Sequence, residues 1–492
     1  MSSEVTKSKV LSSLFWKLLE RGGTQSIQFI LTIIFARLLL PREFGLIVLV
    51  TIFVSIAGIF VQSGFNTALI QKKDADELDL SSVFYLSIFV AIILYFTLFF
   101  SAPFIATFFN QPEFISVLRI LSITLFFGSF NSIQIAIISR NMQFKKLFLS
   151  SLVAIIISGI LGISLAYANF GVWALVSQQL ANQLIITVVL WFTVSWRPLF
   201  VFSIKRIIDL FSYGWKLLVS ALLNTLSANF QSLVVGKIFS PAMLGFYNRG
   251  EQFPSFIVGN IDGSIQSVML PTLSSYQDDK QRVKEIVRRS VVTSAFIIFP
   301  MMVGLAVIAE PLVKLILTEK WLPSVPFLQI FCFSYALLPI HTANLQAMNA
   351  LGRSDLFLKL EITKKLLSFA ILGVSIPFGI YGIVWGGFIS SLLSTFINAY
   401  PNRKLIDYSY HEQWRDIIPS LVISIVMGGI VYTLNWLNMT EGLTLIIQVI
   451  TGIISYIGIA RIFKLECYMY LLINIKDMFR SKKKTKIINY EV

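Results

Sequence analysis

The feature that most constrains this chain is a succession of long apolar segments that fills almost its whole length. A helix that crosses about 30 Å of hydrocarbon needs about 20 mainly apolar residues, and fourteen segments meet this requirement. Only 13% of the 492 residues are charged, against roughly 25% in a typical globular protein. The pattern predicts an all-α integral membrane protein and excludes both a soluble fold and intrinsic disorder. The predicted spans lie near 14–40, 44–70, 82–109, 115–139, 147–168, 170–195, 207–239, 242–275, 290–317, 325–350, 357–376, 379–400, 414–436 and 443–463.

Lysine and arginine in the connecting segments predict how these spans are oriented. Alternate connections, together with both ends of the chain, carry 29 of these residues, whereas the opposite side carries only Arg42 and Lys320. Cytoplasmic loops are enriched in Lys and Arg, so we expect an even number of spans and two cytoplasmic termini. Residues 464–492 are then a basic cytoplasmic tail attracted to anionic lipid, and the net charge of +15 requires no nucleic acid.

The chain lacks the residues that an enzyme or a metal site would require. Its two cysteines, Cys332 and Cys467, lie far apart, and its two histidines, His341 and His411, are too few for zinc chemistry. No connection is longer than about 15 to 20 residues, and no cluster of catalytic carboxylates is present. We therefore predict no catalytic site, no metal and no cofactor.

An internal repeat relates two parts of the chain. Residues 36–45 recur as residues 236–245, with a basic residue, a proline and a glycine in register, and the sequence Trp-Lys-Leu-Leu occurs at 16–19 and again at 215–218. A third correspondence relates the polar residues of spans four and ten, at an offset of 210. Repeats of this kind are typical of transporters, and an even number of spans in each unit places the symmetry axis along the membrane normal.

The repeat predicts two six-helix bundles that enclose a cavity, followed by two additional helices. The tight pair formed by spans five and six depends on a short turn at residues 169–171. The predicted regions are 1–200 (first bundle), 201–400 (second bundle), 401–463 (two additional helices) and 464–492 (the basic tail).

Polar side chains form a stripe on one face of span one and on one face of span seven. Each charged residue inside a membrane costs roughly 2.5–3.5 kcal/mol, so its presence requires a structural or functional explanation. The stripe on span one consists of Lys17, Arg21, Gln25, Gln28 and Thr32. The stripe on span seven consists of Lys216, Ser220, Asn224, Ser227 and Gln231. One interpretation is a cationic, amide-rich cavity for an anionic, hydroxyl-rich substrate; the alternative is hydrogen bonding between neighbouring helices.

Several motifs resemble those of a known family. They lie at residues 36–45, 245–254, 309–312, 319–323 and 350–353. On these motifs the chain resembles the Wzx-type lipid-linked oligosaccharide flippases, the polysaccharide transporter branch of the superfamily that also contains multidrug and toxin extruders. The segment 245–254 resembles the subgroup that acts in capsule, colanic-acid-like or teichuronic-acid-like export.

The resemblance implies a twelve-to-fourteen-helix bundle in the bacterial cytoplasmic membrane that alternates between inward-open and outward-open forms. It implies export of an undecaprenyl-pyrophosphate-linked repeat unit to the outer leaflet, for the biosynthesis of capsule, exopolysaccharide or lipopolysaccharide. The partners would be the lipid-linked substrate, membrane lipid, and a glycan polymerase with its export machinery. Coupling to a proton or sodium gradient is left open, because no ion site is clear in the sequence.

These arguments give a hypothesis for the substrate site. The basic residues expected to hold the pyrophosphate are Lys17, Arg21, Lys216 and Arg249. The residues expected to line the cavity and hold the sugar are Gln25, Gln28, Asn131, Gln134, Asn224, Gln231, His341 and Asn344.

Three competing hypotheses belong to different functional classes. The first is a cation-coupled multidrug exporter of the same fold, which we would expect to carry acids in its cavity. The second is a membrane glycosyltransferase or polymerase, which needs clustered catalytic carboxylates or a sizeable aqueous domain. The third is a non-transporting scaffold, which would leave the paired polar stripes unexplained. The flippase hypothesis is the one that the cationic stripes favour.

Overall fold

The computed structural model describes residues 12–473 apart from Leu14, Leu18, Lys73 and Asn438. Within these residues every regular element is a helix and no strand is present, so the predicted fold class is confirmed. A π-helical turn, Leu19–Gly23, precedes the first α-helix. The helices up to residue 274 are α1 Thr24–Leu38, α2 Pro41–Gln71, α3 Glu77–Phe109, α4 Phe114–Leu121, α5 Thr124–Arg140, α6 Phe144–Tyr167, α7 Val172–Thr193, α8 Ile204–Ile238 and α9 Pro241–Ser274.

Nine further helices follow in the described part of the chain. They are α10 Lys280–Val307, α11 Ala309–Ile316, α12 Val325–Ala336, α13 Leu338–Ala350, α14 Ser354–Ser375, α15 Gly379–Ala399, α16 Asn402–Leu405, α17 Tyr410–Thr433 and α18 Glu441–Ile462. Short 3-10 turns lie at Glu319–Ser324, Ile376–Phe378 and Leu434–Leu437. Each predicted span overlaps at least one helix.

Eleven helical segments of the described chain are long and apolar enough to cross a membrane. One of them, Ser354–Leu405, is broken at Gly379, whose φ of 76° is in the left-handed region that favours glycine. Among the other predicted spans, α1 has only 15 residues, and α9 contains many polar residues. The protein is therefore a multi-pass helical membrane protein, while the number of fourteen crossings stays a prediction.

The turn predicted at residues 169–171 is confirmed. It joins α6 to α7 through Asn169 and Gly171, with positive φ values of 60° and 56°. A Cβ atom at Gly171 would lie 2.5 Å from Glu43 Oε1. Glycine therefore suits both the positive φ and the limited space at this position. This tight turn lets α6 and α7 pack side by side along their length.

The helices up to Asn248 form one compact unit, with α2 near its centre. Helix α2 packs against α3, α5 and α8, and α6 packs against both α1 and α7. One buried apolar cluster joins α2, α3, α5 and α7 and includes Leu69, Phe84, Ile133 and Leu190. By packing, α8 belongs to this first unit, while the predicted division at 200/201 follows the sequence repeat and stays a prediction.

A second compact unit begins at Arg249, and α10 is its central helix. Helix α10 packs against α12, α13 and α17, and α17 packs against α18. Val283, Val287 and Val291 follow one another at four-residue spacing and are fully buried. This spacing places them on one face of α10, which explains why several helices collect on that side.

The two copies of the repeated motif contact each other within the first unit. Pro41 and Pro241 are the first residues of α2 and α9, a position that suits proline because its missing N–H has no partner there. A Cβ atom at Gly45 would collide with the carbonyl oxygen of Pro241, and one at Gly245 would collide with the carbonyl oxygen of Pro41. The glycines are therefore required for a reciprocal close approach of the two helix starts.

Candidate functional site

The polar face predicted on span one is exposed in the structure. Gln25 and Gln28 of α1 are exposed, and Lys17, just before α1, forms an ion pair with Glu20 at 2.7 Å. The side chain of Arg21 lies outside the described part of the structure. Because polar groups are costly against hydrocarbon, an exposed carboxamide face inside a membrane span must face water or substrate.

Helix α8 exposes both a polar and an apolar surface. Lys216, Ser220 and Asn224 are exposed on its polar face, and Gln231 is half-buried further along. Lys216 forms no ion pair with any described residue. The exposed apolar residues of the same helix include Ile208, Phe211, Trp215, Val219 and Leu223. Their spacing of three and four residues forms a separate stripe suited to contact with lipid, so α8 is amphipathic within the membrane.

A cavity of about 480 Å³ in the first unit is lined mainly by carboxamides and hydroxyls. Helices α1, α2, α5 and α7 contribute its walls, and none of the described residues that line it is charged. Its polar lining residues are Gln28, Thr51, Ser55, Gln62, Thr124, Gln178, Gln179, Asn182 and Gln183. Of these, the sequence pattern identified only Gln28. The spacing of the four amides on α7, which places them on one helix face, is the signal that could have revealed those four residues.

Part of this lining is fixed by hydrogen bonds and part is free. The Ser158 hydroxyl accepts from Gln178 Nε2 at 3.4 Å and from Asn182 Nδ2 at 3.3 Å. A Cβ atom at Gly162 would lie 2.7 Å from Gln178 Cβ, so this glycine lets α6 approach α7 closely. The carboxamides without a hydrogen-bond partner among the described residues are those of Gln28, Gln62, Gln179 and Gln183. The cavity therefore presents amide groups that can both donate to and accept from sugar hydroxyls.

Two of the predicted sugar-binding residues are buried in α5. Asn131 is buried, and its Oδ1 atom has no hydrogen-bond partner among the described residues. Gln134 is also buried; oriented so that both groups are satisfied, its carboxamide donates to the Phe130 carbonyl and accepts from Trp191 Nε1 at 3.2 Å. In this orientation Gln134 bonds neighbouring protein groups, and its sugar-binding role stays a prediction.

The predicted residues of span ten form hydrogen bonds inside the second unit. Asn344 Nδ2 donates to Gln413 Oε1 at 2.9 Å, and its Oδ1 accepts from Gln413 Nε2 at 3.0 Å and from Asn402 Nδ2 at 2.7 Å. His341 Nε2 lies 2.8 Å from the Thr395 hydroxyl. These bonds join α13 to α15, α16 and α17, which is the arrangement expected of hydrogen bonding between membrane helices.

Basic residues and other charges also lie inside the helical units. Arg249 is buried, its guanidinium lies 5.3 Å from the Trp321 ring centroid, and it donates to Gln252. An ion pair that the sequence pattern did not predict lies within α14, where Lys364 Nζ is 2.5 Å from Glu361 Oε1. The sequence feature that could have revealed this ion pair is the presence of two charged residues several residues inside predicted span eleven. Among the described residues no group of His, Cys, Asp and Glu could hold a metal ion.

A second cavity, of about 450 Å³, is almost entirely apolar and lies in the second unit. Residues of α10, α17 and α18 form most of it, with one contribution from α9. Its lining includes Ile257, Met301, Leu305, Met427, Val431, Val449, Ile453 and Ile457. The two units thus contain cavities of opposite character, one suited to hydroxyl groups and the other to hydrocarbon.

The fold is that of a known class of membrane transporter. The structure aligns with the lipid II flippase MurJ in its inward closed conformation with a TM-score of 0.75 at 15% identity, covering 93% of this chain and 100% of that chain. It also aligns with an inward-facing multidrug resistance MATE transporter with a TM-score of 0.58 at 16% identity, covering 78% of this chain and 96% of that chain. At such low identity these similarities establish the fold alone.

Sequence comparison identifies the family. Residues 34–326 match the model of a family described as "Polysaccharide biosynthesis protein", and the chain belongs to this family. It is 25% identical to the teichuronic acid biosynthesis protein TuaB of Bacillus subtilis, over 87% of each chain. It is 24% identical to the succinoglycan biosynthesis transport protein ExoT of Rhizobium meliloti, over 69% of this chain and 68% of that protein. The resemblance predicted from the motifs is confirmed.

Proposed function

We propose that this protein is a flippase that moves an undecaprenyl-pyrophosphate-linked oligosaccharide repeat unit from the cytoplasmic to the outer leaflet. The observation that carries this proposal is the amide-lined cavity of the first unit, which has no charged residue among its described lining residues. Each hydroxyl without a hydrogen bond costs about 4–8 kcal/mol in a hydrocarbon environment, so a repeat unit cannot cross the bilayer unaided. Free carboxamides from α1, α2 and α7 replace water around these hydroxyls.

The basic residues on the polar faces suit the pyrophosphate. Lys216 is exposed on α8 without an ion-pair partner among the described residues, and Lys17 is exposed at the start of the polar face of α1. Arg21 belongs to the same predicted stripe. Charge-assisted hydrogen bonds from such groups are stronger than those between neutral groups. We assign these three residues to the phosphates and the carboxamides to the sugar.

The apolar cavity between α10, α17 and α18 suits the polyprenyl chain. Its lining is hydrocarbon apart from single polar groups such as Gln448. Burial of apolar surface is favourable by about 25 cal/mol per Å², so such a groove holds a prenyl chain while the head group moves. A lipid-linked sugar therefore has both an amide-lined and an apolar site in this chain.

The orientation and setting follow from the charges in the connecting segments. We place the protein in the bacterial cytoplasmic membrane with both termini in the cytoplasm. A glycan polymerase and export machinery take up the product at the outer leaflet. Its role is transport without catalysis, in the biosynthesis of capsule, exopolysaccharide or lipopolysaccharide. A cation-coupled drug exporter is the alternative, but binding of a cationic drug requires acidic groups, and none of the described residues that line the amide cavity is acidic.

A strain that lacks the gene tests the proposal. We expect intact lipid-linked oligosaccharide to accumulate in extracted membranes and surface polysaccharide to be lost, because the block lies at translocation. The measurement is quantification of both species beside the parent strain, with a plasmid-borne copy as the control. Normal levels of both, in a strain without a second transporter of this family, would contradict the flippase assignment.

Lys216→Ala tests the phosphate assignment. A hydrogen bond to a charged group contributes about 1.5–3 kcal/mol, so we expect export to fall by about ten- to a hundredfold. The assay is surface polysaccharide at equal expression. Lys205→Ala is the matched control, since Lys205 is an exposed lysine in the first turn of α8. Equal export by both variants would show that Lys216 does not bind the phosphates.

A further inference from the structure

Asp262 of α9 is a buried carboxylate whose hydrogen bonding is incomplete. Asp262 as a whole is 6% exposed. Its Oδ2 atom accepts from Gln266 Nε2 at 2.8 Å, whereas its Oδ1 atom has no hydrogen-bond partner among the described residues. The Thr342 hydroxyl of α13 also faces this carboxylate. One carboxylate oxygen is therefore enclosed by protein without a donor.

No positive charge among the described residues compensates this carboxylate. Four ionisable groups of the second unit are engaged with other partners: His341 with Thr395, Lys364 with Glu361, Tyr335 with Glu251, and Arg288 with Asp416. No basic group among the described residues interacts with Asp262. Burial of an unpaired carboxylate is far more costly than burial of the neutral acid, and ionisable residues inside a membrane are functional in most cases. Some cation must therefore accompany Asp262.

The surroundings of Asp262 favour a proton over a metal cation. A hard metal cation takes six or more oxygen ligands. Among the described residues, the side chains that hydrogen-bond Asp262 are Thr342, with one hydroxyl oxygen, and Gln266, which presents its N–H group. No group of His, Cys, Asp and Glu among these residues could hold a metal ion. A proton needs only the free Oδ1 atom. The exposed residues on the same stretch of α9, which give protons access from water, are Asn260, Ser264, Gln266 and Ser267.

We propose that Asp262 is a proton-binding site that couples transport to the proton gradient, an inference that rests on the proposed flippase function. A hydronium ion donates its proton to Oδ1: one O–H bond of hydronium breaks, the O–H bond of the neutral acid forms, and a water molecule is released. In another conformation of the cycle the proton returns to water on the other side. Gln266 is then a positioning residue, because its amide holds Oδ2 and leaves Oδ1 free to be protonated.

Carbodiimide labelling tests the protonation directly. Dicyclohexylcarbodiimide is apolar and adds to protonated carboxyl groups in membranes, so the full-length protein is treated in detergent and the modified residue is identified by peptide mass spectrometry. We expect Asp262 to be labelled at neutral pH, less at alkaline pH, and not in Asp262→Asn. Glu361 is the internal control: its carboxylate forms an ion pair with Lys364 Nζ at 2.5 Å, and we expect it to stay unlabelled. Absence of labelling at Asp262 at every pH would overturn the proposal.

Added sodium distinguishes a proton-binding site from a sodium-binding site. If the site binds only protons, sodium chloride and potassium chloride at equal ionic strength leave the labelling of Asp262 equal. Protection by sodium alone would overturn the assignment to a proton and indicate a sodium site. This readout does not depend on transport, so it separates failure of the coupling site from failure of the flippase assignment.

Export by variants in cells provides the second test. We expect Asp262→Asn to reach the membrane at normal levels but to accumulate lipid-linked precursor, since an amide cannot exchange a proton. Asp262→Glu retains the carboxyl group and should restore export in part. Normal export by Asp262→Asn would overturn the coupling role even if the residue is labelled.

Discussion

Replacement of Gly45 by alanine is expected to destabilise the protein and to abolish export. Alanine in the interior of a helix is normally more favourable than glycine, by about 0.8–1.0 kcal/mol. At Gly45 the added Cβ atom would collide with the carbonyl oxygen of Pro241, and backbone atoms cannot yield as a flexible side chain can. Overpacking of this kind costs about 1–3 kcal/mol, so the contact outweighs the gain in helix propensity.

The reciprocal contact makes a matching prediction for the other copy of the motif. Gly245→Ala places its Cβ against the carbonyl oxygen of Pro41 and should lower the melting temperature as Gly45→Ala does. Gly259→Ala, on the same helix α9, is the control, because nothing lies within 4 Å of an added Cβ there. Thermal unfolding of the purified variants and surface polysaccharide are the measurements. A melting temperature for Gly45→Ala equal to that of Gly259→Ala would contradict the reciprocal packing.

The double substitution of Gln179 and Gln183 by leucine is expected to cause a large loss of export at unchanged stability. Both residues line the amide cavity, and neither forms a side-chain hydrogen bond with a described residue, so their loss leaves no protein group unsatisfied. Two hydrogen bonds to sugar hydroxyls contribute about 1–3 kcal/mol together, equivalent to a transport rate that is lower by about 5- to 150-fold.

The assay for this variant is the ratio of accumulated precursor to surface polymer at equal expression. Gln143→Leu is the control, because Gln143 is exposed just before α6 and is absent from the cavity lining. Normal export by the double variant would show that the cavity does not bind the sugar. A lowered melting temperature would mean that the two glutamines stabilise the fold instead.

The helices and the repeat could be predicted from local pattern. Long apolar segments identify membrane helices because the bilayer has a fixed thickness. Pro41 and Pro241 mark helix starts because proline suits the first helical position. That the two starts pack against each other depends on how distant helices meet, and the sequence pattern contains no information on this contact.

The candidate site could be predicted only in part. A polar residue in an apolar span has the same sequence signature whether it faces a cavity or a neighbouring helix. Gln28 lines the cavity, whereas Asn344 bonds Asn402 and Gln413, and only tertiary packing separates the two cases. The glutamines of α7 were missed because they become a site only where α1, α2 and α7 converge.

The most direct test of the flippase assignment uses the purified protein in liposomes. Lipid-linked oligosaccharide isolated from the strain that lacks the gene is included in both leaflets, and a glycosidase added outside digests what it can reach. In protein-free liposomes only the outer half is digested. We predict that the protein makes the inner half accessible as well, and that the Gln179→Leu, Gln183→Leu variant does so far more slowly. Digestion that stops at the protein-free level with the wild-type protein would contradict the flippase assignment.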